Sequence, residues 1–173
     1  EIVFKLCNIL KKIIPNVKII LGGPEVSFNA KDILNEHDFI DYIICGEGEK
    51  VFAELIKSIN DNKNNNINGL AYRDKNTNEI FITEQALPLD MATLPFVYEN
   101  ELESLKNRII YYEASRGCPF KCSYCLSSAE KIGVRFAPIE KVKRELSYFL
   151  RNDVLQVKFV DRTFNCNKKF ASD

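Results

Sequence analysis

The stretch Tyr111–Cys125, YYEASRGCPFKCSYC, sets Cys118, Cys122 and Cys125 on one short run behind Arg116-Gly117. Three thiols so close are a coincidence of composition, part of a disulfide framework, or the ligands of one centre. With six cysteines in the chain, a C-x3-C-x2-C arrangement arises by chance in roughly one such sequence in a hundred. The other three do not complete a disulfide scaffold. Cys7 and Cys45 lie in apolar periodic segments and read as buried thiols acting as small hydrophobes. Cys166 lies in a polar stretch near the end. Clustered spacing without secretory features points to a reduced, cytoplasmic setting and a metal site.

Two kinds of centre suit the spacing. Structural zinc wants four closed ligands, commonly two separated C-x-x-C pairs. No second pair exists, so the fourth ligand would be Cys166 or lie outside this sequence. An iron–sulfur cluster is normally held by four cysteines. Held by three, it keeps one iron open, as an open coordination position marks catalytic zinc.

The neighbouring segments say where the thiols sit. RIIYYEAS reads as a strand that delivers the chain to the cysteine loop. IEKVKRELSYFLRN, behind Pro138, reads as a helix with Ile139, Val142, Leu146, Phe149 and Leu150 on one side. VLQVKFVDRTFN reads as the next strand. This is the start of a βαβ arrangement, with the cysteines directly after its first strand. Sites of parallel α/β sheets gather at the carboxyl ends of strands, where the thiols and DRTFN would be neighbours.

Upstream, helix and strand alternate. EIVFKLCNILKKII is a helix with Ile2, Leu6, Ile9, Leu10 and Ile13 on one face. VKIILGGP and FIDYIICGEGE read as buried strands ending in glycines, separated by the helix AKDILNEH and followed by the amphipathic KVFAELIKSIN. That order implies a parallel sheet covered by helices. Two strands are too few for a doubly wound domain, so further strands are expected upstream of Glu1. GLAYRDKNTNEIFIT reads as a hairpin, Leu70–Arg73 and Ile80–Thr83, and the two-proline stretch EQALPLDMATLPFVYEN as a linker. The expected organisation is an α/β domain over 1–67, hairpin and linker over 68–107, and a second α/β domain over 108–173. NDNKNNNIN reads as a solvated loop.

The composition is that of a globular protein, 46% hydrophobic and 28% charged, with 24 basic and 24 acidic residues. That balance gives no sign of a nucleic-acid or membrane partner, and no run has the length of a membrane span. The chain lacks an initial methionine and ends where another helix begins, so a piece of a longer protein is expected, poorly soluble and weak in cluster retention by itself.

The motif C-x3-C-x-aromatic-C, here Cys118, Cys122, Tyr124 and Cys125 behind SRG, resembles the radical S-adenosylmethionine (SAM) superfamily. The resemblance implies a partial TIM barrel in which the three thiolates hold a 4Fe–4S cluster. SAM would bind the fourth iron, and its one-electron cleavage would give a 5′-deoxyadenosyl radical, with Tyr124 near the adenine. In that superfamily the second strand ends in Gly-Gly-Glu, which contacts the SAM amino group. FVDRTFN has no glycine pair, leaving Asp161 as the candidate, with Thr163 and Asn165 weaker ones. Glu113 reads instead as an ion-pair partner of Arg116 or Arg135.

Taken in order, GGP, GEGE, the hairpin and the cysteine motif resemble the cobalamin-binding radical SAM enzymes. This implies a flavodoxin-like first domain. Gly22, Gly23, Pro24 and Gly46, Glu47 and Gly48 would then line the corrin or its nucleotide tail. The implied outcome is methyl transfer to an unactivated carbon, with ring contraction or cyclisation in some relatives. The substrate would be a small molecule or peptide, and the electron donor a flavodoxin or ferredoxin. No D-x-H-x-x-G motif is present, and His37 reads as a surface or helix-end residue. Two alternatives stand beside this: a radical SAM enzyme whose first domain docks substrate without cobalamin, and a non-catalytic Fe–S or zinc module.

Overall fold

In the computed structural model, residues 1–61, 66–74, 76–99, 101, 107–126 and 132–172 are described. Residues 62–65 of the Asn-rich loop expected to be solvated lie outside them. The chain divides into two compact units, Glu1–Pro88 and Leu89–Asp173.

The first unit runs α1 (Ile2–Ile13), β1 (Ile20–Gly22), α2 (Pro24–Ser27), α3 (Ala30–Glu36), β2 (Tyr42–Ile44), α4 (Gly48–Asn60), β3 (Leu70–Arg73) and β4 (Ile80–Ile82). Its sheet has the order β1-β2-β3-β4. β1 and β2 are parallel, with Ile20 opposite Tyr42 and Gly22 opposite Ile44. β3 joins β2 antiparallel, and β4 returns along β3. Successive side chains of a strand point to opposite faces, and at β2 both faces are covered. Ile43 packs with Cys7, Ala30 and Leu34 from α1 and α3. Tyr42 and Ile44 pack with Val51 and Leu55 from α4. All three residues of β2 are therefore buried, the continuous apolar run of a central strand.

Two expectations are corrected here. The hairpin is part of the first sheet rather than of a linker, because Leu70 and Ala71 have apolar partners on both faces of β2. The sheet consequently has four strands and mixed direction. The face of α1 predicted from its periodicity is not covered: Ile2, Ile9 and Ile13 are exposed, and Cys7 is the residue of this helix that is buried.

One ion-pair network ties this unit together. Asp41, just before β2, accepts from Lys11 Nζ at 2.6 Å, Lys18 Nζ at 3.4 Å and Ile19 N–H at 3.0 Å. Burial raises its pKa, but the bonds from Lys11 and Ile19 and the two ammonium charges outweigh burial, so the net shift is downward. A lowered folded-state value means that the carboxylate's contribution is complete above the unfolded carboxyl pKa. It is lost as pH falls through the depressed folded value. Asp41→Asn is expected to cost about 1–3 kcal/mol at pH 7, the penalty for stranding buried partners. The cost should fade at acid pH, which urea melts of both proteins between pH 7 and pH 3 will measure.

The second unit runs from a 3₁₀ turn (Met91–Thr93) through β5 (Ile110–Tyr112), β6 (Ser115–Arg116), β7 (Arg135–Phe136), α5 (Ile139–Arg151) and β8 (Val157–Phe159) to α6 (Lys168–Ser172). β5 and β8 pair in parallel, Ile110 opposite Val157 and Tyr112 opposite Phe159. With α5 between them this is the expected βαβ arrangement. Ile110 and Tyr112 share a core with Val142 and Phe149 of α5. The proline-rich stretch is not idle: Met91 is buried in the same core, with Leu94, Phe96 and Tyr98 against it. Asp90 starts the 3₁₀ turn by accepting from Ala92 N–H at 2.9 Å.

On α5 the buried stripe is Val142, Glu145 and Phe149, whereas Leu150 is exposed. Steps of three and four residues keep 142, 145 and 149 on one line, and 150 lies a further 100° round the helix. The carboxylate at the centre of that stripe is held by Tyr112, whose hydroxyl donates to Glu145 Oε2 at 2.7 Å. Lys141 Nζ lies 4.0 Å from Oε1. Burial and the neighbouring Glu145 push the Tyr112 phenol well above its ordinary pKa, so it remains a donor at any physiological pH.

Candidate functional sites in the two units

In the first unit the turns after β1 and β2 come together. Gly22, Gly23, Gly46 and Gly48 line one cleft of about 360 Å³ with Ile20, Ile44 and Phe52. Gly23 has φ +96° and Gly46 φ +90°, the left-handed region that glycine enters without steric cost. Ser27 Oγ donates to the Gly23 carbonyl at 2.7 Å and the Ile44 carbonyl at 3.2 Å, tying one turn to the other. Of the residues expected at this site, Pro24 opens α2 and Glu47 is the N-cap of α4. Both flank the cleft without lining it. Phe52 was missed as a site residue. The periodicity of α4 assigned it to the core, yet it is half-exposed and presents an aromatic wall to the cleft. His37 ends α3 and stacks between Phe4 and Phe39, at 4.4 and 5.1 Å, the helix-end position expected of it.

In the second unit the cysteine loop leaves from β6 and returns through β7. The pairing of Ser115 with Phe136 and Arg116 with Arg135 closes its base. No periodic signal in two-residue strands could have announced this pairing. Gly117, at φ +104°, sits so close to the returning chain that a Cβ there would overlap the Gly133 carbonyl oxygen. Arg116 forms a two-pronged pair with Glu113, Nη2 to Oε2 at 2.7 Å and Nε to Oε1 at 3.2 Å, as its charge pattern suggested.

Cys118, Cys122 and Cys125 are all half-buried and none is in a disulfide. Cys125 N–H donates to the Cys122 carbonyl at 3.1 Å, curling the last turn. Among the described residues, no three Cys, His, Asp or Glu side chains close on a single metal ion. That is the geometry a structural zinc would require, with thiolates about 2.3 Å from one atom. A cubane takes each thiolate to a different iron and needs no such convergence. Three thiols on one loop, outside any disulfide and all partly open to solvent, fit a cluster with an open iron. Tyr124, 90% exposed, stands out from the same loop.

β8 approaches from the side. Asp161 accepts from Ala114 N–H at 3.1 Å and from Ser115 Oγ at 2.5 Å. Both carboxylate oxygens thus brace the strand end from which the loop departs. Thr163 Oγ1 lies 3.4 Å from Cys118 Sγ. Cys166 N–H donates to the Thr163 carbonyl at 3.2 Å, which fixes the turn that carries it.

Residues 1–56 match the B12 binding domain family. Over 98% of its length the chain is 31% identical to the uncharacterized methyltransferase PH0819 of Pyrococcus horikoshii. It is 27% identical, over 92% of its length, to the cobalamin-dependent radical SAM methyltransferase TokK of Streptomyces tokunonensis. The first third of the chain thus matches the B12 binding domain family, and nearly its whole length is similar to methyltransferases, one of them a cobalamin-dependent radical SAM enzyme. The fold agrees: 94% of the chain superposes on the cobalamin-dependent SAM radical enzyme OxsB with a TM-score of 0.74 at 20% identity. It spans 39% of PH0819, 25% of TokK and 24% of OxsB. Among the described residues, no helix is long and apolar enough to cross a membrane.

Proposed function

We propose that this chain supplies the radical-initiating and cobalamin-binding parts of a methyl-transferring radical SAM enzyme. The observation that carries the reading is the loop of three half-buried thiols, none in a disulfide, at the carboxyl end of the first strand of a parallel βαβ arrangement. Cys118, Cys122 and Cys125 would hold a 4Fe–4S cluster. Bound there, the cluster supplies one electron that cleaves SAM to methionine and a 5′-deoxyadenosyl radical. The Gly117–Gly133 contact and the Asp161 brace hold the loop's base, and Tyr124 offers an aromatic face for the adenine.

In the first unit, the cleft offers glycine backbone, the apolar side chains of Ile20 and Ile44 and the ring of Phe52 to the corrin or its nucleotide tail, with Glu49 also on its lining. Cobalamin there would act as carrier of the transferred methyl group. His37, partly buried between Phe4 and Phe39 at the end of α3, is not assigned as its cobalt ligand. The substrate is a small molecule or peptide bearing an unactivated carbon, and the reductant a flavodoxin or ferredoxin.

The test uses the full natural chain, purified and reconstituted anaerobically. With dithionite and SAM it should release 5′-deoxyadenosine, and absence of that product overturns the enzyme reading. Cobalamin titration tests the other half. Gly46→Val places a branched residue at positive φ, a strain of about 1–3 kcal/mol that moving the turn out of the cleft relieves. Affinity should fall about tenfold. If the unaltered protein binds no cobalamin, the first unit serves docking only.

A further inference from the structure

We infer that Thr163 is a positioning residue for the cluster, donating a hydrogen bond to the sulfur of Cys118 and so raising the cluster's reduction potential. The inference rests on the reading of Cys118 as a cluster ligand. The two side chains meet at 3.4 Å although they lie 45 residues apart, and three features make the contact a fixed one. Asp161, two residues before Thr163, is locked to Ala114 and Ser115 on the strand end that leads into Cys118. The carbonyl of Thr163 accepts from Cys166 N–H. Gly117, the residue before Cys118, abuts Gly133 with no room for a side chain. Both partners are thus held by contacts that do not depend on the Thr163–Cys118 contact itself.

As a free thiol and a hydroxyl, either group can donate. A thiolate bound to iron has no proton, so the direction becomes unique: Thr163 Oγ–H donates and sulfur accepts. A bond donated to a ligating sulfur withdraws electron density from the metal centre. It stabilises the reduced cluster, which carries one more negative charge, over the oxidised one. The redox step is one electron from a low-potential donor of the flavodoxin or ferredoxin class. No bond is made or broken at Cys118, and Thr163 keeps its proton. With the hydroxyl in place, a larger share of clusters is reduced at a given donor potential.

The test is an EPR-monitored redox titration of the anaerobically reconstituted full natural chain, as unaltered protein, Thr163→Val and Thr163→Ser. Thr163→Val should titrate at a more negative potential. At the potential that half-reduces the unaltered cluster, its reduced-to-oxidised ratio should fall about fivefold, the equilibrium worth of one net hydrogen bond. Thr163→Ser, which keeps the hydroxyl, should titrate with the unaltered protein. Coincident titrations of Thr163→Val and the unaltered protein, with clusters intact, overturn the inference. Should Thr163→Val fail to take up a cluster, Thr163→Ala is judged by the same criterion. Loss of the cluster from both makes Thr163 a structural residue and also overturns it. If the unaltered protein itself takes up no cluster, the reading of the three cysteines fails instead.

Discussion

Cys118→Ala is expected to abolish 5′-deoxyadenosine formation, to below about one-thousandth of the unaltered rate, and to remove the 4Fe–4S absorption and EPR signals. The size of the effect follows from the ligand count. Two thiolates hold a cubane weakly, and among the described residues no group of three or more Cys, His, Asp or Glu offers an alternative metal site. Cys118 also contacts Thr163 of the turn after β8. The fold should survive, because Cys118 is half-buried and belongs to none of the apolar cores. Far-UV circular dichroism and the cobalamin affinity of the first unit are therefore expected to be unchanged. A 4Fe–4S signal that persists in Cys118→Ala would remove this residue from the ligand set.

Gly117→Ala is expected to be nearly as damaging without touching a ligand. The residue has φ +104°, and its new Cβ would overlap the Gly133 carbonyl oxygen and lie 3.1 Å from the Gly133 carbon. Both obstacles are backbone, so no rotamer change relieves them. Positive φ in a non-glycine residue costs about 1–3 kcal/mol, and overpacking adds a cost of similar size. The cheapest escape is to break the two-residue pairing of β6 with β7, which opens the base of the cysteine loop. Iron content per chain should fall severalfold, with a lowered melting temperature for the second unit. Gly133→Ala is the control. A Cβ there meets nothing within 4 Å, although the residue also has positive φ (+76°), so it should cost the conformational strain alone. Equal iron loading in Gly117→Ala and the unaltered protein would show that the contact does not shape the loop.

Much of this molecule was legible in the order of its residues. The helices α1, α3, α4 and α5 follow from apolar positions three and four apart, and the strands β2 and β5 from short apolar runs beside them. The hairpin was legible in a turn rich in Asp and Asn, but its partner was not. Whether Leu70 pairs with β2 or stands apart depends on which faces of β2 still need covering. The uncovered face of α1 shows the same limit from the other side, since periodicity announces an apolar face and not what lies against it. Glu145 sits in an apolar stripe because Tyr112, 33 residues earlier, supplies its hydrogen bond, and no local pattern predicts that.

The cysteine spacing, the glycine turns and the alternation of strand and helix were determined by sequence alone, because each is a local matter of backbone freedom, side-chain period and ligand count. Tertiary structure decided the rest. Gly22, Gly23, Gly46, Gly48 and Phe52 form one cleft only because β1 and β2 are parallel neighbours whose ends fall together. Asp161, expected to contact a cofactor, braces Ala114 and Ser115. Thr163 meets Cys118 because the parallel register of β5 and β8 brings two turns, far apart in sequence, to the same edge. Such contacts depend on which strand ends are adjacent, and that is settled by how the whole chain covers its apolar faces.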